Sequence, residues 1–212
     1  MMFLYDLFHN MPAHLSLWAD VYGPGLYLIL IVVIFAETGF VVTPFLPGDS
    51  LLFAAGAVVA ITSADLNIFW MALGLSVAAV AGDALNYQIG HWLAGKQEKY
   101  LRWLNPKYLE RTREFYAHHG GKTIFLARFV PIVRTYAPFV AGLSGMRYRD
   151  FALFNILGGI VWINAFLFLG YLLGNTPGVK ENFQYVVLGI VLISVLPILW
   201  EFARTKVRRT FW

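Results

Sequence analysis

The stretch Lys122-Thr-Ile-Phe-Leu-Ala-Arg128-Phe-Val-Pro131-Ile-Val-Arg134-Thr-Tyr-Ala-Pro138-Phe-Val-Ala-Gly142-Leu-Ser-Gly145 decides how this chain is built. It is apolar enough to enter a lipid bilayer, yet Arg128, Pro131, Arg134 and Pro138 interrupt it. Proline removes a helix hydrogen bond and clashes with the preceding turn. Broken backbone at membrane depth survives only where it is buried in protein or lines a wet cavity. Lys96, Lys99, Arg102, Lys107, Arg111 and Arg113 precede the stretch, and Arg147 and Arg149 follow it. Cytoplasmic loops are the ones enriched in Lys and Arg. Both flanks therefore read as cytoplasmic, and residues 122–145 are predicted to enter and leave on the same side as a re-entrant hairpin.

The rest of the topology follows outward from this hairpin. A spanning helix needs about 20 mostly apolar residues. Residues 151–173 carry no charge and are predicted to cross outward. Residues 183–200 cross back, with Pro197 near their end, and the basic tail 201–212 is left in the cytoplasm. Its Arg204, Lys206, Arg208 and Arg209 hold orientation and touch anionic lipid. Upstream, residues 68–93 form another crossing, interrupted by Asp83. The loop at 62–67 holds one acid and no base, which suits the outer side. Residues 37–61, broken by Gly39, Pro44, Pro47, Gly48 and Asp49, then make a first re-entrant hairpin opening outward. Residues 25–36 read either as a full crossing or as one arm of that hairpin. Residues 96–119 have apolar side chains at roughly helical spacing and read as a cytoplasmic amphipathic linker. Residues 1–24 contain no Lys or Arg and so lack the positive region of a cleaved signal peptide. They read as an interfacial helix or as a frayed terminus.

Composition agrees with a bilayer. The chain of 212 residues is 59% hydrophobic and 13% charged. Soluble domains carry roughly 25% charge. Seven Trp fit side chains anchored at lipid–water interfaces. The absence of cysteine excludes disulfides and thiol chemistry.

The two halves echo each other. Phe53-Ala-Ala-Gly56 closes the first hairpin and Phe139-Val-Ala-Gly142 the second. The helices that follow end in Gly90-His-Trp-Leu-Ala-Gly95 and Gly170-Tyr-Leu-Leu-Gly174. With opposite predicted orientations, this gives an all-α integral membrane fold: an inverted repeat of re-entrant hairpin plus transmembrane helix, with additional transmembrane and interfacial amphipathic helices. Transporters use this design, with broken segments meeting at the midplane to form the substrate site.

Five ionisable groups lie in apolar surroundings: Glu37, Asp49, Asp83, Arg128 and Arg134. At about 2.5–3.5 kcal/mol each, they would cost on the order of 12–17 kcal/mol in a bare bilayer. They are expected to face one another, water or a charged substrate. Arg128 and Arg134 flank Pro131 and could converge on one phosphate, whose oxygens match the guanidinium fork. The competing reading is that they neutralise Glu37 and Asp49. Those two acids read as proton-coupling groups, because burial and a neighbouring arginine act in opposite directions on a carboxylate. Fixed salt bridges are the alternative. Asp83, Asn86 and Tyr87 share one helix face and read either as a polar structural network or as support for the site.

Other polar residues carry plainer readings. Asn155, Trp162 and Asn164 are expected to face the bundle as helix–helix glue. His118 and His119 have no partners at ligand spacing, so no metal or cofactor is expected. No Gly-x-Ser-x-Gly, His-Glu-x-x-His or phosphate-cradling loop is present, which argues against an enzyme.

Three motifs resemble the DedA family of bacterial inner-membrane proteins. They are Glu37-Thr-Gly-Phe-Val-Val-Thr-Pro-Phe-Leu-Pro-Gly-Asp-Ser50, Gly82-Asp-Ala-Leu-Asn-Tyr87 and Phe125-Leu-Ala-Arg-Phe-Val-Pro-Ile-Val-Arg-Thr135 with Ala141-Gly142. The resemblance covers nearly the whole chain. It implies a bacterial inner-membrane location and movement of a polyprenyl-phosphate carrier lipid, chiefly undecaprenyl phosphate, or a related phospholipid, across the bilayer. It also implies that the family's important acids match Glu37 and Asp49 and its important arginines match Arg128 and Arg134. The expected partners are membrane lipid and protons, with no nucleic acid, and a homo-oligomer is compatible with the sequence. The rival function is a proton-motive-force-dependent antiporter of small cations or drugs that supports membrane homeostasis. A non-transporting membrane factor is a third reading.

Overall fold

The computed structural model describes residues 11–40, 48–62, 65–95, 120–174 and 176, and every regular element among them is an α-helix. The elements are α1 (Met11–Tyr22), α2 (Gly25–Gly39), α3 (Gly48–Ile61), α4 (Ile68–Gly95), α5 (Lys122–Ala127), α6 (Pro131–Leu143) and α7 (Tyr148–Gly174). The expected linker helix at 96–119, the crossing at 183–200 and the basic tail at 201–212 lie outside the described residues. So do the start of the N-terminal segment and residues 41–47 of the stretch expected as the first hairpin.

Local sequence explains where these helices start and stop. Gly23, at a positive φ of 51°, ends α1, and Pro24 precedes α2. The Asn67 side chain caps α4 by accepting from the backbone N–H groups of Phe69 (2.9 Å) and Trp70 (3.4 Å). Val130 is extended (φ −114°, ψ 106°), as expected of a residue before proline. The second broken stretch is therefore a helix, a break at 128–130 and a second helix opening on Pro131. A Schellman motif ends α6: Met146 N–H donates to the Ala141 carbonyl and Gly145 N–H to that of Gly142, with Gly145 at φ 78°.

Two helices, α4 with 28 residues and α7 with 27, are long and apolar enough to cross a membrane. They correspond to the crossings expected at 68–93 and 151–173. Helix α2 has 15 residues, about 22 Å of helix, against roughly 30 Å of bilayer hydrocarbon. Apolar side chains cover the outside of the long helices as well as the core, and several charged or amide groups are buried. Phe69, Trp70, Leu73 and Val77 on α4, and Leu153, Leu157 and Ile160 on α7, are exposed. Glu37, Asp83, Asn86, Arg128 and Asn155 are buried. Exposed apolar faces of this extent mark a membrane contact.

The described residues fall into two compact units, one drawn from Met1–Tyr27, Pro47–Met71 and Asn164–Trp212, the other from Leu28–Leu46 and Ala72–Ile163. In the first, α1 packs on α3, with Leu15, Ala19, Leu52, Phe53 and Val58 buried. In the second, Tyr87, Ile124, Ala127, Ala137, Ala141 and Phe151 form the core.

Each unit contains the same reciprocal joint. In the first, a Cβ added to Gly56 would stand 1.9 Å from the Leu167 carbonyl oxygen, and one on Gly170 would stand 2.0 Å from that of Phe53. In the second, a Cβ on Gly90 would stand 2.1 Å from the Phe139 carbonyl oxygen, and one on Gly142 would stand 2.1 Å from that of Tyr87. Only glycine allows backbones this close, the small-residue packing that membrane helices use. These are the residues that echo between the two halves of the sequence.

Candidate functional site

The break between α5 and α6 points two arginines at one place in the second unit. Arg128 caps the end of α5, and Arg134 lies one turn into α6. Arg128 Nη2 pairs with Asp83 Oδ2 on α4 and donates to Asn155 Oδ1 on α7 at 2.6 Å. Arg134 Nη2 pairs with Glu37 Oε1 near the end of α2 at 2.5 Å. Both pairs are almost wholly removed from water, with side-chain exposures of 4% and 7% for Arg128 and Asp83, and 11% and 5% for Arg134 and Glu37.

Hydrogen bonds hold the surrounding helices in register. Asn86 Nδ2 donates to the carbonyls of Thr38 on α2 (3.2 Å) and Thr135 on α6 (2.8 Å). One fully buried amide thus ties α2 and α6 to α4. Asn155 uses its amide on the Val80 carbonyl at 3.0 Å, which leaves its oxygen facing Arg128. Gly158 and Gly159 leave room for the same side chain: a Cβ on Gly158 would lie 3.3 Å from Arg128 Nε. The Trp162 indole completes the wall, with the guanidinium carbons of Arg134 and Arg128 at 4.6 and 5.7 Å from its ring centroid.

Glu37, Thr38, Asp83, Arg128, Arg134, Thr135 and Trp162 line a cavity of about 10 Å³. That is room for about one water molecule. The cavity is small, and the two guanidinium groups that line it are matched by two carboxylates. Among the described residues, no group of three His, Cys, Asp or Glu could hold a metal.

The structure brings together Glu37, Asp83, Asn86, Arg128 and Arg134. Tyr87 stands apart from the cavity: its hydroxyl donates to the Met146 carbonyl and its ring stacks on Phe151 with centroids 4.5 Å apart. It secures the turn between α6 and α7. Asp49 is buried in the first turn of α3 and belongs to the first unit. Asn155 and Trp162 face inward as expected; Asn155 ties α7 to α4 through the Val80 carbonyl, and both residues are also contacts of the arginines. Their signal was present in the spacing: Asn155, Gly158, Gly159 and Trp162 stand at i, i+3, i+4 and i+7, one stripe of an α-helix.

Comparison with known proteins places this arrangement in a family. Residues 46–172 match the VTT domain. The chain is 46% identical to Protein DedA of Escherichia coli (strain K12) over 206 residues, covering 96% of this chain and 94% of that protein. It is 38% identical to an uncharacterized membrane protein of Mycobacterium leprae over 183 residues, covering 84% and 81% respectively. It is 33% identical to Inner membrane protein YqjA of Escherichia coli (strain K12) over 184 residues, covering 86% and 83%. No solved structure matches. A domain match over more than half its length, and relatives aligned along nearly all of it, show that this chain belongs to the DedA family of VTT-domain membrane proteins.

Proposed function

We propose that the protein is a transporter that moves a phosphate-bearing lipid, a polyprenyl phosphate such as undecaprenyl phosphate or a related phospholipid, across the bacterial inner membrane. The carrying observation is the pair of buried arginines, each held by a carboxylate, around a small cavity. Buried arginines in apolar helices cost stability, and apolar residues of similar volume would meet a purely structural need as well or better. Guanidinium is suited to phosphate oxygens, which it can meet with two parallel hydrogen bonds.

The charges point to how transport couples to protons. With Glu37 and Asp83 ionised, the two arginines are already neutralised. A phosphomonoester brings between one and two negative charges near neutral pH. Placing that charge in a dry, neutral site is unfavourable unless a carboxylate leaves or takes up a proton. Glu37 is the group exchanged: the phosphate replaces it as partner of Arg134, and the displaced carboxyl is protonated. Asp49, at the start of α3, is the second coupling acid. The cavity must widen as this happens, and the lipid tail stays in the bilayer through a lateral opening.

The topology that serves this role is an inverted repeat. Residues 37–61 and 122–145 are re-entrant hairpins entered from outside and inside, in a multi-pass protein whose C-terminus is cytoplasmic. The twin glycine joints support the repeat. No chemical step on the substrate is part of the reading.

Reconstitution tests it. Proteoliposomes carrying a fluorescent polyprenyl phosphate should move the label between leaflets. Arg134→Ala should slow this about tenfold to a hundredfold, the worth of a hydrogen bond to a charged group. Unchanged movement after Arg128→Ala and Arg134→Ala would remove the arginines from the site. Proton flux without any lipid substrate would transfer the assignment to the antiporter.

A further inference from the structure

Within the lipid-phosphate reading, one question concerns what holds Arg134 while its anionic partner changes. The ion pair to Glu37 cannot do so, because that is the contact given up. Any contact that keeps Arg134 in place through the exchange must be one whose attraction does not depend on the Glu37 proton.

The stripe on α7 supplies one. Trp162 is 1% exposed, and its ring lies 4.6 Å from the Arg134 guanidinium carbon. The indole face attracts a cation through its quadrupole, most strongly where water is excluded. It carries no titrating proton and competes for no phosphate oxygen. Stacking leaves the edge of the guanidinium, where its N–H donors lie, free to change from carboxylate to phosphate. The other arginine meets the same ring at 5.7 Å, but it is braced separately by Asp83 and Asn155.

We propose that Trp162 is a positioning residue of the transport site: its indole holds the Arg134 guanidinium in place by cation–π contact while that arginine passes from the Glu37 carboxylate to the phosphate of the lipid. The two arginines thereby take different parts. Arg128, Asp83, Asn155, Gly158 and Gly159 form a fixed frame. Arg134 on Trp162 is the exchanging contact. In this division, Trp162 sets how well Arg134 is presented, and Arg128 does not substitute for it.

The first test does not depend on transport. In full-length protein labelled with ¹⁵N-arginine, the Arg134 side-chain N–H should show the upfield ring-current shift of a proton above an indole. That shift should persist in Glu37→Gln, where the ion pair is gone, and vanish in Trp162→Leu. Loss of the shift in Glu37→Gln would overturn the proposal, because the carboxylate would then be what holds the arginine. The second test grades the ring. Tryptophans carrying one to four fluorines, placed at position 162 alone by nonsense suppression, keep the shape and progressively weaken the quadrupole. Movement of fluorescent polyprenyl phosphate should fall stepwise with fluorination, reaching about thirtyfold at the weakest ring, with Trp162→Phe retaining more activity than Trp162→Leu. Equal rates across the fluorinated series would overturn it, since a purely structural ring is indifferent to its quadrupole. Failure of the wild-type protein to move the lipid would refute the lipid-phosphate reading, whereas the resonance shift would still report on the contact between Trp162 and Arg134.

Discussion

Replacing Asp83 with asparagine isolates the energetics of the fixed half of the site. Asp83→Asn keeps the shape and one hydrogen-bonding oxygen but removes the charge opposite Arg128. The Arg128 side chain is 4% exposed, so water cannot compensate. Its remaining partners are the Asn155 oxygen and the Trp162 ring, neither of which carries a negative charge. Removing one partner of a buried pair costs about 3–5 kcal/mol. For a chain of this size, each kcal/mol corresponds to roughly 2–4 °C, so the apparent Tm should fall by about 6–20 °C. Arg128→Gln should cost less, because a stranded carboxyl can take up a proton whereas a guanidinium cannot shed one. The double substitution Asp83→Asn with Arg128→Gln leaves two neutral, hydrogen-bonding groups and should recover much of the loss. Thermal unfolding of the full chain in detergent, followed by helical circular dichroism, completes the double-mutant cycle. A cost below about 1 kcal/mol for Asp83→Asn, or strict additivity in the double variant, would refute the reasoning.

Two further substitutions test the packing around the site. Gly142→Ala places a methyl group 2.1 Å from the Tyr87 carbonyl oxygen and should destabilise the protein by about 1–3 kcal/mol. Gly90→Ala strains the same joint, so the double variant should cost less than the two singles combined, again read from thermal unfolding. Asn86→Leu removes both donors that tie α2 and α6 to α4. It should cost about 1–3 kcal/mol for the buried hydrogen bonds lost and should slow lipid movement along with the loss of stability.

Much of this arrangement is legible in the sequence, and the parts that are not have identifiable reasons. Proline and charge stand out against an apolar background, so the break at Arg128–Pro131 could be read directly. Helices α4 and α7 follow from uninterrupted hydropathy. Pairing was not legible: Asp49 and Asp83 are both acids in apolar helices, and only packing shows that Asp83 is the partner of Arg128. Asn155 and Trp162 were legible as bundle-facing residues, but their contact with the arginines was missed for a different reason. Asn155 and Trp162 carry no charge, and a hydropathy window averages them into a uniform span. Periodicity could have separated them from Asn164. At about 100° per residue, Trp162 falls within about 20° of Asn155 around the helix axis, whereas Asn164 falls on the opposite side. Asn155 and Trp162 are both buried, and both touch Arg128.

The repeated joint bears on whether the charges serve packing or function. Tyr87 and Gly90 meet Phe139 and Gly142 in one unit as Leu167 and Gly170 meet Phe53 and Gly56 in the other. The close approach of the backbones is the same, and so is the spacing of three residues on every helix involved. If polar side chains were needed to make such a joint, both units should carry them at matching places. They do not. Four residues before Tyr87 stands Asp83, whereas four before Leu167 stands Ile163. One residue before Tyr87 stands Asn86, whereas one before Leu167 stands Phe166. Both apolar counterparts accompany a joint at least as tight, so the geometry is reached without an acid or amide at those two places of the long helix, although α3 carries the buried acid Asp49 four residues before Phe53. The Arg128–Asp83 pair and the Asn86 amide are therefore additions to the long helix of one copy, beside a joint whose counterpart forms without them. Buried arginines that the joint does not require, drawn from a broken helix, fit the proposed site for an anion.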